Sequence, residues 1–142
     1  MVDVGGKRDT LRTAIAEGFL RLSDAARAAV ADGGPKGDVL RTAQLAGIQG
    51  AKRASDLIPL CHPIPVDHVA VAWSEPEPGV LRCEARVRTT WRTGVEMEAM
   101  TAVSAALLTA YDMLKAVDKG LELGPIRLLE KTGGKSGEWR RP

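Results

Sequence analysis

Residues 93–119, TGVEMEAMTAVSAALLTAYDMLKAVDK, decide the fold because they form the longest helical pattern in the chain and are apolar around most of the circumference. Successive residues of a helix are rotated by about 100°, which places the polar side chains of this stretch within one sector of roughly 120°. These side chains are Glu98, Thr101, Ser104, Asp112, Lys115 and Lys119. A helix of this kind belongs in a core, so we predict that its polar stripe faces solvent, a cleft or a partner chain.

Two pairs of charged residues on this helix each have two interpretations. Asp112 and Lys115 are three residues apart, a spacing that forms ion pairs on solvated helix faces. If the stripe faces a ligand instead, the same pair becomes a candidate for chemistry. Glu96 and Glu98 in the first turn complement the helix dipole, and they are equally suited to bind NH groups or to transfer protons.

The segments around the helix alternate between apolar and polar residues with the period of two that indicates β-strands. Residues 66–74 and 80–91 predict an antiparallel hairpin. Residues 13–22 favour a strand over a short helix, and residues 121–129 predict a last strand. The opening residues 1–4 have the alternation of a short edge strand before two glycines.

Two further helices have clear starting signals. Ser23 is placed as the N-cap of a short helix that ends at Gly33, and Asp38 as the N-cap of a longer helix over residues 39–55. Helices and antiparallel strands in mixed order predict an α+β fold, with helices packed on one face of an antiparallel sheet. With 142 residues, we expect a single domain over 1–142.

The composition excludes several classes of function. A net charge of +2, one Phe, one Tyr and three Trp argue against nucleic acid as a partner. The longest uncharged run, residues 99–111, is shorter than the about 20 residues that a membrane span needs. Two cysteines without a CxxC motif or a secretory leader predict a reduced, cytoplasmic protein.

A proline-locked loop over residues 57–65, LIPLCHPIP, holds the most distinctive single residue, His62. Three prolines exclude a helix or a central strand and fix the backbone around the histidine. His62 then either hydrogen-bonds to the backbone or binds and transfers protons near neutral pH. A metal site formed by Cys61, His62 and His68 is disfavoured, because no fourth ligand stands at a typical spacing.

Two basic segments next to glycines are candidate anion sites. Lys131 and Lys135 belong to KTGGKSG at residues 131–137, which is not a P-loop because Leu129 stands where that motif requires glycine. Accessible backbone NH groups and two lysines suit phosphate, although a free polar tail has the same composition. Lys36, at a predicted helix start, is similarly either an anion-binding residue or a surface lysine.

Taken in order, six segments of the chain closely resemble the molybdenum cofactor biosynthesis protein C (MoaC) family, the cyclic pyranopterin monophosphate synthases. The resemblance runs over essentially the whole chain, and six ordered motifs make it specific. The segments are KGDV (36–39), AGIQGAKRASDLIPLCHP (46–63), TGVEMEA (93–99), YDMLKAVDK (111–119), GPIRLL (124–129) and KTGGKSG (131–137).

This resemblance implies a ferredoxin-like α+β subunit in a homohexamer, a trimer of dimers with active sites at the dimer interface. It implies conversion of (8S)-3′,8-cyclo-7,8-dihydroguanosine 5′-triphosphate to cyclic pyranopterin monophosphate with release of diphosphate. No cofactor is implied, apart from Mg²⁺ that could accompany the triphosphate. The alternative class is a non-catalytic α+β module that binds a nucleotide or another anion.

The resemblance also assigns site residues. It places the catalytic pair at Asp112 and Lys115, with active-site lysines at Lys36 and Lys131. The residues that match substrate-binding or further basic positions are Leu60, Cys61, His62, Glu96, Met97, Glu98, Arg12 and Lys135. Our hypothesis is that Asp112 and Lys115 act as acid and base, Lys36 and Lys131 bind the triphosphate, and Glu98 binds ring NH groups.

Two departures from the family pattern are visible in the sequence. Relatives commonly carry an N-terminal extension before the segment that matches MVDV, the segment with which the sequence opens here. Arg92 stands where relatives often carry lysine, which preserves the positive charge.

Overall fold

A computed structural model, which describes residues 1–142, contains a five-stranded sheet and four helices. In chain order the elements are β1 (Thr10–Arg21), α1 (Asp24–Asp32), α2 (Val39–Lys52), α3 (Ala54–Leu57), β2 (His68–Glu77), β3 (Val80–Trp91), α4 (Glu96–Leu114), β4 (Glu122–Thr132) and β5 (Trp139–Arg140). The strands lie in the order β2-β3-β1-β4-β5, and every neighbouring pair is antiparallel. This arrangement has the split β-α-β topology of ferredoxin-like folds, so the predicted α+β class is confirmed.

Local sequence signals set the helix starts as predicted. The Ser23 hydroxyl accepts a hydrogen bond from the Ala26 amide, and the Asp38 carboxylate accepts one from the Arg41 amide at 2.9 Å. Gly33 ends α1 with a φ of 74°, a left-handed conformation that glycine adopts without strain. The long core helix, however, is shorter than predicted, because the chain turns after Leu114, where Val117 and Asp118 donate backbone hydrogen bonds to the Leu114 carbonyl.

Both ends of the chain differ from the sequence prediction. Residues 1–4 do not form an edge strand; they lead into a turn at Gly5, and the Val2 carbonyl accepts a hydrogen bond from His62. Residues 131–137 are not a free tail, because Gly133, Gly134 and Gly137 have positive φ and reverse the chain into β5. Three glycines allow this reversal, which residues with side chains would adopt only with strain.

The core lies between the sheet and α4, and α2 packs beside α4 on the same face. Alternate residues of β1 and β3 point into it, as the period of two predicts. The fully buried apolar ones are Ala14, Ala16, Leu20, Cys83, Ala85 and Val87. Against them pack Val103, Ala106, Leu107 and Ala110 of α4, which are also fully buried. None of the helices combines the length and apolarity needed to cross a lipid bilayer.

The opposite face of the sheet carries a buried ion pair. Glu17 of β1 is only 5% exposed and receives hydrogen bonds from Arg82 at 2.5 Å and from Arg127 at 2.7 Å. Burial by itself would raise the pKa of Glu17, but the hydrogen bonds from the two arginines outweigh it and lower the pKa. Glu17 therefore remains ionised and joins three neighbouring strands, β3, β1 and β4.

The contact between α2 and α4 depends on glycine. A Cβ atom at Gly50 would lie 2.7 Å from the Ala105 Cβ and 3.1 Å from the Thr101 carbonyl oxygen. Since helices can approach this closely only where a side chain is missing, Gly50 sets the distance between the two helices.

We expect Gly50→Ala to destabilise the protein by about 1–2 kcal/mol in urea unfolding, because the overpacking cost exceeds the helix-propensity gain of alanine. Gln49→Ala is the matched control, since Gln49 is exposed on α2 and its replacement should change stability by less than about 0.5 kcal/mol. A Gly50→Ala variant as stable as the wild type would contradict the close contact.

Candidate active site

The first turn of α4 and the proline-locked loop line a cavity of about 350 Å³, which we call the histidine lobe. It includes all six residues that the sequence analysis placed in the substrate-binding loop and helix segment. These are Leu60, Cys61, His62, Glu96, Met97 and Glu98. The structure therefore brings together two segments that are more than thirty residues apart in the chain. The volume of the histidine lobe is within the range of small-molecule pockets.

His62 is fixed by the N-terminal segment of the chain. Its Nε2 lies 2.8 Å from the Val2 carbonyl oxygen. Because a carbonyl can only accept, Nε2 carries the proton in this contact, and Nδ1 is the other ring nitrogen available to a ligand. The structure thus shows the backbone hydrogen bond of the first interpretation and places His62 in the wall of a cavity.

Glu98 is the buried carboxyl group of the histidine lobe. It is 3% exposed, and burial raises its pKa to about 7. A hydrogen bond from its own backbone amide lowers the pKa, and the charge of Glu96 adds to the rise. A carboxyl group with this pKa is present in both protonation states near neutral pH. Glu98 is therefore suited both to donate and to accept a proton.

Cys61 is close enough to Glu98 to be affected by its charge. Burial, followed by the charge of Glu98, raises the pKa of the Cys61 thiol. The thiol is consequently protonated at neutral pH and is a poor nucleophile. His68 lies apart on β2 and is exposed, and no group of three or more His, Cys, Asp or Glu side chains is arranged to hold a metal ion.

A second cavity of about 520 Å³, the basic lobe, is lined entirely by polar residues and glycine. Arg12, Lys131 and Lys135 line it, and Glu96 is its one carboxylate. The Nε of Arg12 is buried and has no hydrogen-bond partner within the protein. A buried donor without a partner among several cations is suited to an anionic ligand such as phosphate.

The β4–β5 turn shapes the basic lobe. A side chain at Gly134 would overlap the guanidinium of Arg12, so this glycine allows Arg12 to lie against the turn. Lys131 donates hydrogen bonds to the Ser136 hydroxyl and, at 2.8 Å, to the Gly137 carbonyl, which hold it at the base of the turn. The glycine-rich segment thus lines the basic lobe without being a P-loop.

The two lobes are parts of one cleft. Lys7, Thr93, Gly94 and Glu96 line both of them. We call the combined space the α4 cleft, because it surrounds the start of that helix. It joins a cationic end to an end with a histidine and a buried carboxyl group.

The remaining three predicted residues form a separate cluster, which we call the lysine–aspartate cluster. Asp112 pairs with Lys36 at 2.6 Å and with Lys115 at 2.7 Å. Hydrogen bonds from Lys115 and then Lys36 lower the pKa of Asp112 to about 2, and the bond to Asp112 raises the pKa of Lys115. All three side chains are about half exposed, and none of them lines the α4 cleft.

The cluster and the cleft lie at opposite ends of α4. Glu98 and Asp112 are fourteen residues apart in this helix. At a rise of about 1.5 Å per residue, they are separated by about 21 Å along the helix axis. Within one chain the structure therefore brings together nine of the twelve predicted site residues and leaves Lys36, Asp112 and Lys115 apart from them.

Comparison with known proteins identifies the family of this chain. A family model described as the MoaC family matches residues 1–134. The chain belongs to the MoaC family. The resemblance stated from the sequence motifs is thereby confirmed, and the match ends one residue before Lys135.

Individual MoaC relatives share more than half of their aligned residues with this chain. The cyclic pyranopterin monophosphate synthase of Corynebacterium glutamicum strain R is 56% identical over 140 residues, covering 98% of this chain and 89% of the relative. The synthase of Novosphingobium aromaticivorans is 55% identical over 141 residues, covering 99% and 89%. A molybdenum cofactor biosynthesis bifunctional protein of Synechococcus elongatus is 56% identical over 144 residues, and this chain spans 45% of its length.

The sequence analysis missed the contribution of the N-terminal segment to the cleft of this MoaC chain. Val2, Val4 and Lys7 line the histidine lobe, whereas the sequence indicated an edge strand there. The Gly5-Gly6 pair was the available signal, because it predicts a turn that brings the chain back toward its own start. Which wall the turn would contact depends on the fold.

Proposed function

We propose that this chain is a cyclic pyranopterin monophosphate synthase of molybdenum cofactor biosynthesis. It would convert (8S)-3′,8-cyclo-7,8-dihydroguanosine 5′-triphosphate to cyclic pyranopterin monophosphate and diphosphate. The observation that carries the proposal is the α4 cleft, which joins a purely polar, cationic lobe to a lobe with His62 and a carboxyl group that titrates near neutral pH. Such a cleft matches a ligand with a phosphate chain at one end and a reacting ring system at the other. The names of the relatives agree with this assignment.

In this proposal the basic lobe binds the triphosphate. Arg12, Lys131 and Lys135 provide charge-assisted hydrogen bonds to phosphate oxygens, and the unpartnered Nε of Arg12 gains an acceptor. Any Mg²⁺ would arrive as the counterion of the triphosphate. At the other end, the carboxylates of Glu96 and Glu98 accept hydrogen bonds from ring NH groups.

The chemistry consists of proton transfers followed by loss of diphosphate. Opening one ring and closing another moves protons between nitrogen, carbon and oxygen atoms, for which Glu98 and His62 are available. In the phosphate step, a sugar hydroxyl oxygen attacks the innermost phosphorus and gives up its proton to a base. The bond from that phosphorus to the diphosphate oxygen breaks, and the electron pair leaves with diphosphate, whose charge is neutralised by the lysines.

We assign the lysine–aspartate cluster a role that differs in part from our sequence hypothesis. With a pKa of about 2, Asp112 is ionised and a weak base, so it orients the cations Lys36 and Lys115 instead of removing protons itself. Lys115 then donates protons or positive charge to the ligand. Lys36 belongs with this pair and not with the triphosphate lysines.

The separation of the cluster from the α4 cleft supports an active site shared between chains. Groups that act on one ring system must converge within a few ångströms, and about 21 Å along α4 prevents this in a single chain. A second copy can supply its own cluster to the cleft. We therefore propose a homo-oligomer, namely the hexamer of three dimers known for the family, and the exposed Leu45 (65%) and Leu108 (60%) on α2 and α4 are suited to such contacts.

The direct test is to supply the purified protein with the cyclic dihydroguanosine triphosphate. We expect equal amounts of diphosphate and of a pterin that becomes fluorescent after oxidation. Binding of the triphosphate without either product would reject the synthase and favour the non-catalytic nucleotide-binding module. Light scattering gives the number of chains in the assembly.

Sharing of the site predicts complementation between inactive variants. Chains carrying Glu98→Gln and chains carrying Asp112→Asn, co-expressed in equal amounts, should regain about one quarter of wild-type activity, because half of random dimers are mixed and one of their two sites is intact. Each variant alone is the control. Absence of any regain in assemblies shown to be mixed would place the site within one chain.

A further inference from the structure

Lys7 stands at the junction of the two lobes of the α4 cleft. Four residues line both lobes, and among them Lys7 is the one with a cationic side chain. It is also the single Lys or Arg that lines the histidine lobe. Its side chain makes no hydrogen bond or ion pair within the protein, so it is free to bind a ligand.

The backbone around Lys7 is attached to the walls of the cleft on both sides. Before it, the Val2 carbonyl accepts the hydrogen bond from His62, and the Lys7 amide donates to the Val4 carbonyl at 3.1 Å. After it, Asp9 pairs with Arg92 at 3.3 Å. Lys7 is thereby presented by a segment with a defined path, which lies where the two lobes meet.

We propose that Lys7 binds the innermost phosphate of the substrate, an inference that rests on the proposed function. In a nucleoside triphosphate, the innermost phosphate connects the sugar to the outer phosphates. A ligand with its rings in the histidine lobe and its outer phosphates in the basic lobe places this group beside Lys7. The same phosphorus is the one attacked when diphosphate leaves, so Lys7 also stabilises the charge that develops there.

The test compares GMP, GDP and GTP, which share the guanine, sugar and phosphate groups and differ in phosphate number. Affinities are measured by calorimetry for the wild type, Lys7→Ala, Lys135→Ala and Lys52→Ala. We expect Lys7→Ala to weaken binding of all three nucleotides by a similar factor, about tenfold or more, because each one contains the innermost phosphate. Lys135→Ala should weaken GTP binding more than GMP binding, and Lys52→Ala, at an exposed site on α2 outside the cleft, should leave all three unchanged.

The outcomes separate this inference from the proposed function. Unchanged GMP affinity in Lys7→Ala, with normal binding by the wild type, overturns the assignment of Lys7 alone. Wild-type protein that binds none of the nucleotides overturns both. If the nucleotide affinities follow the expected pattern but the protein forms no pterin, the synthase function is rejected. The assignment of Lys7 to the innermost phosphate then still holds. Lys7→Arg, which keeps the charge, should recover most of the affinity lost in Lys7→Ala.

Discussion

Replacement of Asp112 by asparagine is expected to lower the turnover of the cyclic dihydroguanosine triphosphate by a factor of about 10² to 10³. Asparagine keeps the shape of the side chain but removes the charge that holds Lys36 and Lys115 at 2.6 and 2.7 Å. Without it, the two cations repel each other and lose their common orientation. The measurement is the rate of pterin formation at saturating substrate.

Loss of folding is a poor explanation for such a result, because Asp112 is half exposed and exposed ion pairs add little stability. The thermal midpoint of Asp112→Asn should therefore match that of the wild type. Asp56→Asn is the matched control, since Asp56 is exposed on α3 and makes no ion pair. Turnover near the wild-type level in Asp112→Asn would remove the lysine–aspartate cluster from the mechanism.

Replacement of Glu98 by glutamine is expected to lower the turnover strongly and, above neutral pH, to make the protein more stable. Burial raises the pKa of Glu98 from 4.5 to about 7, so the folded state binds this proton more tightly than the unfolded state. The contribution of Glu98 to stability is therefore complete below about pH 4.5 and is lost as the pH rises through about 7. Glutamine is neutral at every pH and does not suffer this loss.

The rise in the pKa of Glu98 corresponds to a change of about 3 kcal/mol in the free energy of unfolding. The free energy of unfolding is measured in urea at a fixed protein concentration. At pH 4 and below, the difference in this free energy between the variant and the wild type should not change with pH. Between pH 4.5 and 8 the curves should separate, with Glu98→Gln the more stable at pH 8 by about 2–3 kcal/mol. Glu122→Gln, at an exposed site on β4, is the control and should follow the wild type.

The same substitution should reduce turnover by a factor of about 10² or more, because glutamine cannot exchange the proton. Gain of stability together with loss of activity is the signature of a group kept for function at a cost to folding. A variant with full activity would exclude Glu98 from proton transfer. A Glu98→Gln variant that is no more stable than the wild type at pH 8 would contradict the burial of the ionisable Glu98 carboxyl group.

Several parts of the fold could be predicted from adjacent residues. Ser23 and Asp38 mark helix starts because the side chain of an N-cap residue accepts a hydrogen bond from an amide only three residues away. The alternation of residues 80–91 indicates a strand because neighbouring side chains of a strand point to opposite faces. The ends of α4 were less well predicted, since the turn after Leu114 interrupts a pattern that continues in the sequence.

The sequence motifs named nine residues that the structure brings together in the α4 cleft, but they did not give the shape of the cleft. The motifs of the resemblance identify the residues of the cleft, and the loop residue Cys61 does lie beside Glu98. The predicted helix already sets Asp112 about 21 Å along its axis from Glu98, but the motifs do not reveal that Asp112 pairs with Lys36 of a distant segment. Nor does the alternation of residues 1–4 indicate that Lys7 would lie between two cavities.

The sequence by itself determined the fold class and the membership of the MoaC family, because these depend on local patterns and ordered motifs. The tertiary structure decided which of the predicted site residues meet, how deeply Glu98 is buried and that Lys7 lines both lobes of the cleft. The physical reason is that burial and convergence arise from contacts between segments distant in the chain. The pKa of Glu98, near 7 instead of 4.5, is a property of those contacts and not of glutamate.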